Sequence, residues 1–310
     1  MANKSLTPEV LLETLRIYEA NARNIRATTK ILGIAPHSIH HRLKAAKEIF
    51  PNGLPDEGVE LGQWTYPRLI SIKAPNTKWI IGSDFHIWPG KEPKIFEAFC
   101  KVASDLKVDG IILNGDVIDG ARISRHPMLR KSAAPKIDKE IEAAKQWLQK
   151  LPNTKYRCWT VGNHDIRIDN YIAANANELS DYIISLQEHF PTWKMAYAFD
   201  INDIEVRHRF RGGVHTAYNN AVHSGVSMIT GHTHQLQVTA VRDRRGTRYG
   251  IETGLMADPV GPQFEYTEGQ PNRWQQGFVV ISFDEDGMML PPELCEIANG
   301  RPAFRGSYVL

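Results

Sequence analysis

Residues 156–165 read YRCWTVGNHD, an aromatic and apolar run that ends in three consecutive polar residues, Asn163, His164 and Asp165. The first part suits a strand, because aromatic and β-branched side chains pack well on a pleated, half-buried surface. Helix capping could use one of the polar residues, and a turn could use two. Chemistry is the other reading of all three at one strand end.

The pattern recurs. KWIIG (78–82) runs into SDFH, DGIILNG (109–115) into DVID, IEVR (204–207) stops at His208, and VSMITG (226–231) delivers HTH. Glycine usually stands just before the polar residues, where it lets the backbone turn tightly without a side-chain clash. Helical patterns near 92–107 and 134–150 follow strands, and the part from about 205 to 283 is richer in strands, so an α/β fold is expected. In α/β sheets the ligand site lies where strand ends gather. Five loops would therefore bring Asp84, His86, Asp116, Asp119, Asn163, His164, Asp165, His208, His232 and His234 to one edge. Nitrogen and oxygen donors without a thiolate suit Mn²⁺, Fe or Zn²⁺ better than a structural zinc cage. Seven ligands are too many for one tetrahedral ion and suit two ions that share a bridging carboxylate.

SDFH, GDVID, GNHD, a strand-end His and GHTH, in that order, resemble the five blocks of the calcineurin-like metallophosphoesterase superfamily over about residues 78–290. The flanks ISRHP, GNHDIRIDNYIAANANEL and GRPAFRGSYVL are similar to phosphoesterases encoded by bacteriophages and prophages. The resemblance implies a two-sheet αββα sandwich with metals at the strand ends. It implies Asp84, His86 and His234 on a first ion, Asn163, His208 and His232 on a second, and Asp116 between them. The ions are two divalent cations, manganese first, with iron, zinc or nickel as alternatives. His164 is then the catalytic acid or charge stabiliser over the substrate, and Asp165 either orients His164 or its loop, or makes a turn hydrogen bond. The fourth block usually reads His-Gly and here reads His208-Arg209; His215, which looks like a helix start, is the rival ligand. Asp119 is assigned a structural hydrogen bond, and His126 and His223 ordinary surface or supporting positions. The reaction class is phosphoester hydrolysis.

Residues 1–50 read as a separate all-α head. Thr7-Pro8 suits a helix start, Val10, Leu11, Leu15 and Tyr18 form one stripe, a short helix spans about 24–32 before Gly33, and a third from Pro36 to about 49 buries Ile39, Leu43 and Ala46. IRATTKILGIAPHSIHHRLKAA resembles the helix-turn-helix of small DNA-binding domains, although Thr28 stands where such motifs commonly carry Ala. That resemblance puts His37, Ser38, His41, Arg42 and Lys44 against DNA; a docking or oligomerisation module is the alternative. Eight Lys/Arg against four Glu give this head a net +4, which leaves −2 for the rest of a chain whose total is +2.

Residues 51–77, dense in Pro and Gly, read as a linker or arm, and 78–310 as the catalytic domain. Beyond the second block, Arg122, Arg125, Arg130 and Lys131 form a basic loop that could reach phosphates beside the scissile one, or simply face solvent. With a DNA-binding head on the same chain, nucleic acid is the expected substrate and a nuclease or phosphodiesterase the expected activity. The alternatives are a phosphatase or phosphodiesterase of small molecules and a DNA-binding regulator with a decayed hydrolase domain. No apolar run approaches a membrane span, MANKSLTPEV lacks the apolar stretch of a secretory signal, and three scattered cysteines make no pair pattern. A cytoplasmic setting is expected, that of the bacterial host if the chain is phage-encoded.

Overall fold

Trp79 and Ile81 face one hydrophobic layer and Ile80 the other, and all three are fully buried. A strand covered on both faces marks the centre of a layered α/β fold. The computed structural model describes residues 7–21, 24–49, 65–90, 92–125, 134–244, 246–269 and 272–310. The chain divides into two compact units, 1–65 and 66–310.

The first unit holds three helices, α1 (Pro8–Ala20), α2 (Ile25–Leu32) and α3 (Pro36–Ile49). Thr7 caps α1 by accepting from Val10 N–H, and Asn24 caps α2 by accepting from Ala27 N–H at 3.1 Å. Gly33 ends α2 at φ 64, in the left-handed region. Leu11, Leu12, Leu15, Ile39 and Ala46 are buried between the helices. Thr28 is also buried, and its hydroxyl is satisfied by donating to Asn24 O at 2.9 Å, so the larger residue fits without an orphaned polar group.

In the second unit one sheet runs, edge to edge, β14 (Ser307–Tyr308), β13 (Arg301–Phe304), β12 (Glu293–Ala298), β11 (Gly277–Ser282), β2 (Lys78–Gly82), β3 (Gly110–Leu113), β4 (Tyr156–Thr160) and β5 (Lys194–Ala196). The other runs β1 (Ile70–Ile72), β6 (Ala198–Ile201), β7 (Ile204–Arg207), β8 (Ser227–Thr230), β10 (Gly246–Thr253) and β9 (Leu236–Asp243). Trp79, Ile81, Ile112, Phe199, Val206, Ile229 and Ile251 fill the layer between the sheets. On the far face of the eight-stranded sheet, Phe96 and Phe99 of α4 (Lys94–Asp105) and Trp147 of α5 (Ile137–Leu148) pack against Ile80, Phe85 and Phe278. α8 (Thr216–Ser224) lies on β8, β9 and β10. The result is the two-sheet sandwich with helices on both sides.

The linker assigned to 51–77 is too long at its C-terminal end. Ile70–Ile72 pairs in parallel with Phe199–Ile201, and Ala74 N–H donates to Asn202 Oδ1, so 66–77 belongs with the second unit. Pro67 and Pro75 flank an edge strand, where a missing N–H costs no ladder bond. Residues 51–64 lie outside the described residues.

β2, β3 and β4 run parallel, as do β7 and β8 in the other sheet. The C-terminal ends of these five strands carry the polar residues singled out in the sequence.

Candidate metal centre

The loop after β2 supplies Asp84 and His86, that after β3 Asp116 and Asp119, and that after β4 Asn163 and His164; β7 ends at His208, and β8 leads to His232 and His234. Three clusters result in which the potential ligand atoms lie within 4.8 Å of one another: Asp84–His86–His234, Asp116–His208–His232, and His86–Asp116–His164. Asp116 shares one cluster with His208 and His232 and another with His86, which sets it between the two ligand groups. Asp84, His86, Asp116, His208 and His234 are buried, while His232 sits at the rim.

Backbone geometry is unusual at these positions. Asp84 (φ 55), His86 (φ 37), Asp116 (φ 51), His232 (φ 71) and His234 (φ 58) all occupy the left-handed region that non-glycine residues avoid. Such conformations persist where the surroundings impose them, and here all five aim side chains at one centre. Two glycines allow the strand ends to approach. A Cβ on Gly162 would lie 2.2 Å from Asp116 Oδ1, and one on Gly115, itself at φ 82, would meet the His208 ring at 2.4 Å.

Four of the candidate ligands are oriented by a second contact. Asp84 accepts His232 N–H at 2.9 Å on Oδ2, which leaves Oδ1 facing His234 Nε2 at 3.3 Å. Asp116 accepts His164 N–H at 2.8 Å on Oδ1, which leaves Oδ2 3.0 Å from His208 Nε2. His208 Nδ1 donates to Asn114 O at 2.8 Å and His86 Nδ1 to Asp119 Oδ1 at 2.9 Å, so both rings present Nε2 to the centre. Asp119 thus has the structural hydrogen bond expected of it. Two acceptors at 3.0 Å, or the Nε2 atoms of His86 and His234 at 3.3 Å, require a cation or a proton between them.

The electrostatics agree. Burial alone would raise the carboxyl pKa values, but His234 and His208 hold Asp84 down at about 2, and His208 and His164 hold Asp116 well below its usual value. Burial opposes a charge on His208, yet Asp116 and Asp84 raise its pKa to about 10. Among the described residues, buried Asn163 Oδ1 has no hydrogen-bond partner, while Asp84 Oδ1 faces His234 Nε2 and His208 Nε2 faces Asp116 Oδ2. Ionised buried carboxylates, imidazoles with oriented lone pairs and an orphaned amide oxygen fit a pair of divalent cations.

His164 differs from the ligands. Its Nδ1 lies 3.0 Å from Asp119 O, and Arg167 Nη2 lies 3.1 Å from its Nε2. A guanidinium only donates, so this arrangement holds a neutral ring with its hydrogen on Nδ1. Burial, too, opposes charging, whereas hydrogen bonding and charge from Asp119 and the Asp116 charge raise the His164 pKa. The Arg167 contact decides the form present here. Arg167 also donates to Asp119 O at 2.8 Å, a role that no strand-end pattern in the sequence marks.

Asp165, expected to orient His164 or its loop or to make a turn hydrogen bond, lies beneath the site as a positioning residue for the loops. It is fully buried and accepts N–H bonds from Asp116, Val117, Ile118 and Gly162 and from Trp159 Nε1. Burial and the Asp116 charge push its pKa up to about 6, and at neutral pH these donors face a carboxylate.

Other supporting residues were also invisible in the sequence. Buried Glu140 of α5 accepts Gly120 N–H at 2.7 Å, and Glu252 of β10 accepts the Thr233 hydroxyl between the two histidines. Trp274 and Phe264 wall off His234, with ring centroids 4.5 and 5.6 Å away. His215 is exposed at the start of α8 and His223 is exposed in its last turn, so neither joins the centre.

A groove of about 860 Å³ opens beside Asn163 and His232 and is lined by Arg122, Arg125, Arg167 and Arg209. Arg130, Lys131 and His126 lie outside the described residues. In the first unit His37, His41 and Lys44 are exposed, Ser38 is half-buried, and Arg42 is half-buried and donates to Thr14 Oγ1 at 3.3 Å.

Fold and centre together define a metal-dependent phosphoester hydrolase. The chain belongs to the calcineurin-like phosphoesterase family, whose model matches residues 79–241, more than half its length. It is 27% identical over 255 residues to the Gene 54 protein of Mycobacterium phage L5, covering 73% of this chain and 96% of that protein. It is 26% identical over 257 residues to the Gene 54 protein of Mycobacterium phage D29, with the same coverage. Among solved structures it is similar to the zinc complex of Vps29 from Entamoeba histolytica (TM-score 0.39, 13% identity, 75% of this chain and 99% of that one). It is also similar to the phosphoesterase YfcE from E. coli (TM-score 0.34, 16% identity, 69% and 97%).

Proposed function

We propose that the protein hydrolyses phosphodiester bonds of nucleic acid, with manganese as the working metal and the N-terminal helices as its DNA-docking unit. The observation that carries this reading is the groove: four arginines line it, no Asp or Glu is among its lining residues within the described chain, and it meets the centre at Asn163 and His232. A phosphomonoester needs only the metals and one or two cations, whereas a basic groove that extends away from them suits flanking phosphates.

Asp84, His86, Asp116 and His234 would hold one ion, and Asp116, Asn163, His208 and His232 the other. When bound, such a pair supplies an acidified water for attack on phosphorus and neutralises charge on the phosphoryl oxygens. Asn163 contributes a neutral oxygen and so adds no negative charge beside an anionic substrate. Arg167 turns from His164 Nε2 onto a phosphoryl oxygen, the freed Nε2 takes up a proton from solvent, which the Asp119 and Asp116 charges favour, and that proton passes to the leaving oxygen. Exposed His37, His41 and Lys44 on α3 supply the DNA-facing surface, with Ser38 at its margin. Arg42, tied to Thr14, supports that surface more than it reaches from it. The bacterial cytoplasm, where DNA is available, is the matching location.

The test is incubation with Mn²⁺ and end-labelled single- and double-stranded DNA, with Asp116→Asn as the contaminant control. Cleavage absent from the control supports a nuclease. Intact DNA beside a hydrolysed chromogenic diester moves the assignment to small phosphoesters.

A further inference from the structure

α6 (Arg167–Asn175) leaves the metal loop carrying Arg167, Asn170, Tyr171 and Ala174 at the spacing of a single helix face. In a globular protein such a stripe normally turns toward the core. Here no residue of α6 is buried, and those four line the arginine groove. Tyr171 is 49% exposed, and among the described residues its ring has no aromatic, cationic or hydrogen-bonding partner. The neighbouring Asn170 amide has none either among those residues. Arg122, Arg125 and Arg209 line the same groove and make no ion pair with any described residue.

Arginines account for phosphates but leave the tyrosine and the amide without a purpose. A flat π-face beside a hydrogen-bonding amide, in one groove with phosphate-binding cations, matches a nucleotide with its base turned out of the stack. We propose that the Asn170–Tyr171 face of α6 is a nucleobase platform, which makes single-stranded nucleic acid the preferred substrate. The proposal rests on the nucleic-acid reading above. Bases in a duplex are stacked on each other and cannot reach Tyr171. Any base has a π-face, so the platform holds strands without selecting sequence.

The experiment compares the full-length protein with Tyr171→Ala and Tyr171→Phe in Mn²⁺. The substrates are an oligodeoxythymidylate, an abasic oligomer with the same backbone and length, and a duplex. Tyr171→Ala raises the KM for the oligothymidylate roughly tenfold, the loss expected for one stacked base. Tyr171→Phe, which keeps the ring, behaves as wild type. All three proteins cleave the abasic oligomer with equal kcat/KM, because the arginines and the centre are untouched. An unchanged KM in Tyr171→Ala, an equal loss on the abasic oligomer, or faster cleavage of the duplex overturns the platform alone. Turnover of a chromogenic diester with no oligonucleotide cleaved overturns the nucleic-acid reading and the platform with it.

Discussion

Asp165 accepts the backbone N–H of Asp116 at 2.9 Å across a sequence separation of 49 residues. The same carboxylate takes the N–H groups of Val117 and Ile118 at 2.9 and 3.1 Å. The bridging aspartate's loop, which is left-handed at Asp116, is therefore clamped from below by a neighbouring loop's buried charge.

Asp165→Asn offers one acceptor oxygen where two were used and turns an NH₂ toward N–H donors. We expect a loss of about 3 kcal/mol in stability, the scale of a broken buried network. Metal content should also fall, because Asp116 loses its support. Thermal unfolding and metal analysis read both; a variant that keeps two ions per chain and wild-type melting sinks the assignment.

His164→Ala should lose roughly a hundred- to ten-thousand-fold in kcat while retaining two bound ions. Its ring is held by Asp119 and Arg167, neither of which requires it as a ligand. Loss of one ion in this variant would make His164 a ligand beside His86 and Asp116, with which it forms a cluster.

Metal binding should release protons. Asp116 and Asp84 hold His208 protonated up to about pH 10, and a cation on the same carboxylates displaces that proton. Affinity for Mn²⁺ therefore rises with pH below that value, by up to about tenfold per unit for one displaced proton. Calorimetry in two buffers of different ionisation enthalpy counts the protons, and a count of zero contradicts the scheme.

Glu140 makes stability pH-dependent. Burial raises its pKa from 4.5 to about 8, against the pull of the Gly120 N–H. The folded state therefore keeps a proton that the unfolded chain has lost between those values. This contribution is full below pH 4.5 and declines, by up to about 1.4 kcal/mol per unit, as pH rises toward 8. Glu140→Gln keeps an oxygen for Gly120 and cannot ionise, so its melting temperature should exceed wild type at pH 9 and match it at pH 5. Parallel pH profiles for the two proteins would contradict this.

Lys44→Ala on α3 should weaken DNA binding severalfold and lower the salt dependence by about one ion, while leaving hydrolysis of a chromogenic diester unchanged. Unaltered DNA affinity would favour a docking or assembly role for the head.

The helices of the first unit were legible because their signals are local: Thr7 before Pro8, Asn24 as a cap, Gly33 at a left-handed end. Leu12 was missed, since a side chain between α1 and its neighbours is buried by packing that a single stripe does not show. The C-terminal end of the linker was misplaced for a related reason. Residues 70–72 become a strand only because β6, more than a hundred residues on, offers an edge.

The five strand-end blocks determined, from sequence alone, which residues would gather and gave them the donor chemistry of a metal site. Each block is a few residues long, and its glycine, turn and ligands are fixed by neighbours in the chain. Only the tertiary structure decided what those residues do once gathered. Asp165 turned downward to clamp Asp116, Arg167 closed on His164, Glu140 and Glu252 braced the loops, and α6 exposed its tyrosine to the groove. These roles depend on which charge or ring meets which loop across long stretches of chain. Loop closure brings such partners together, and no local pattern records the meeting.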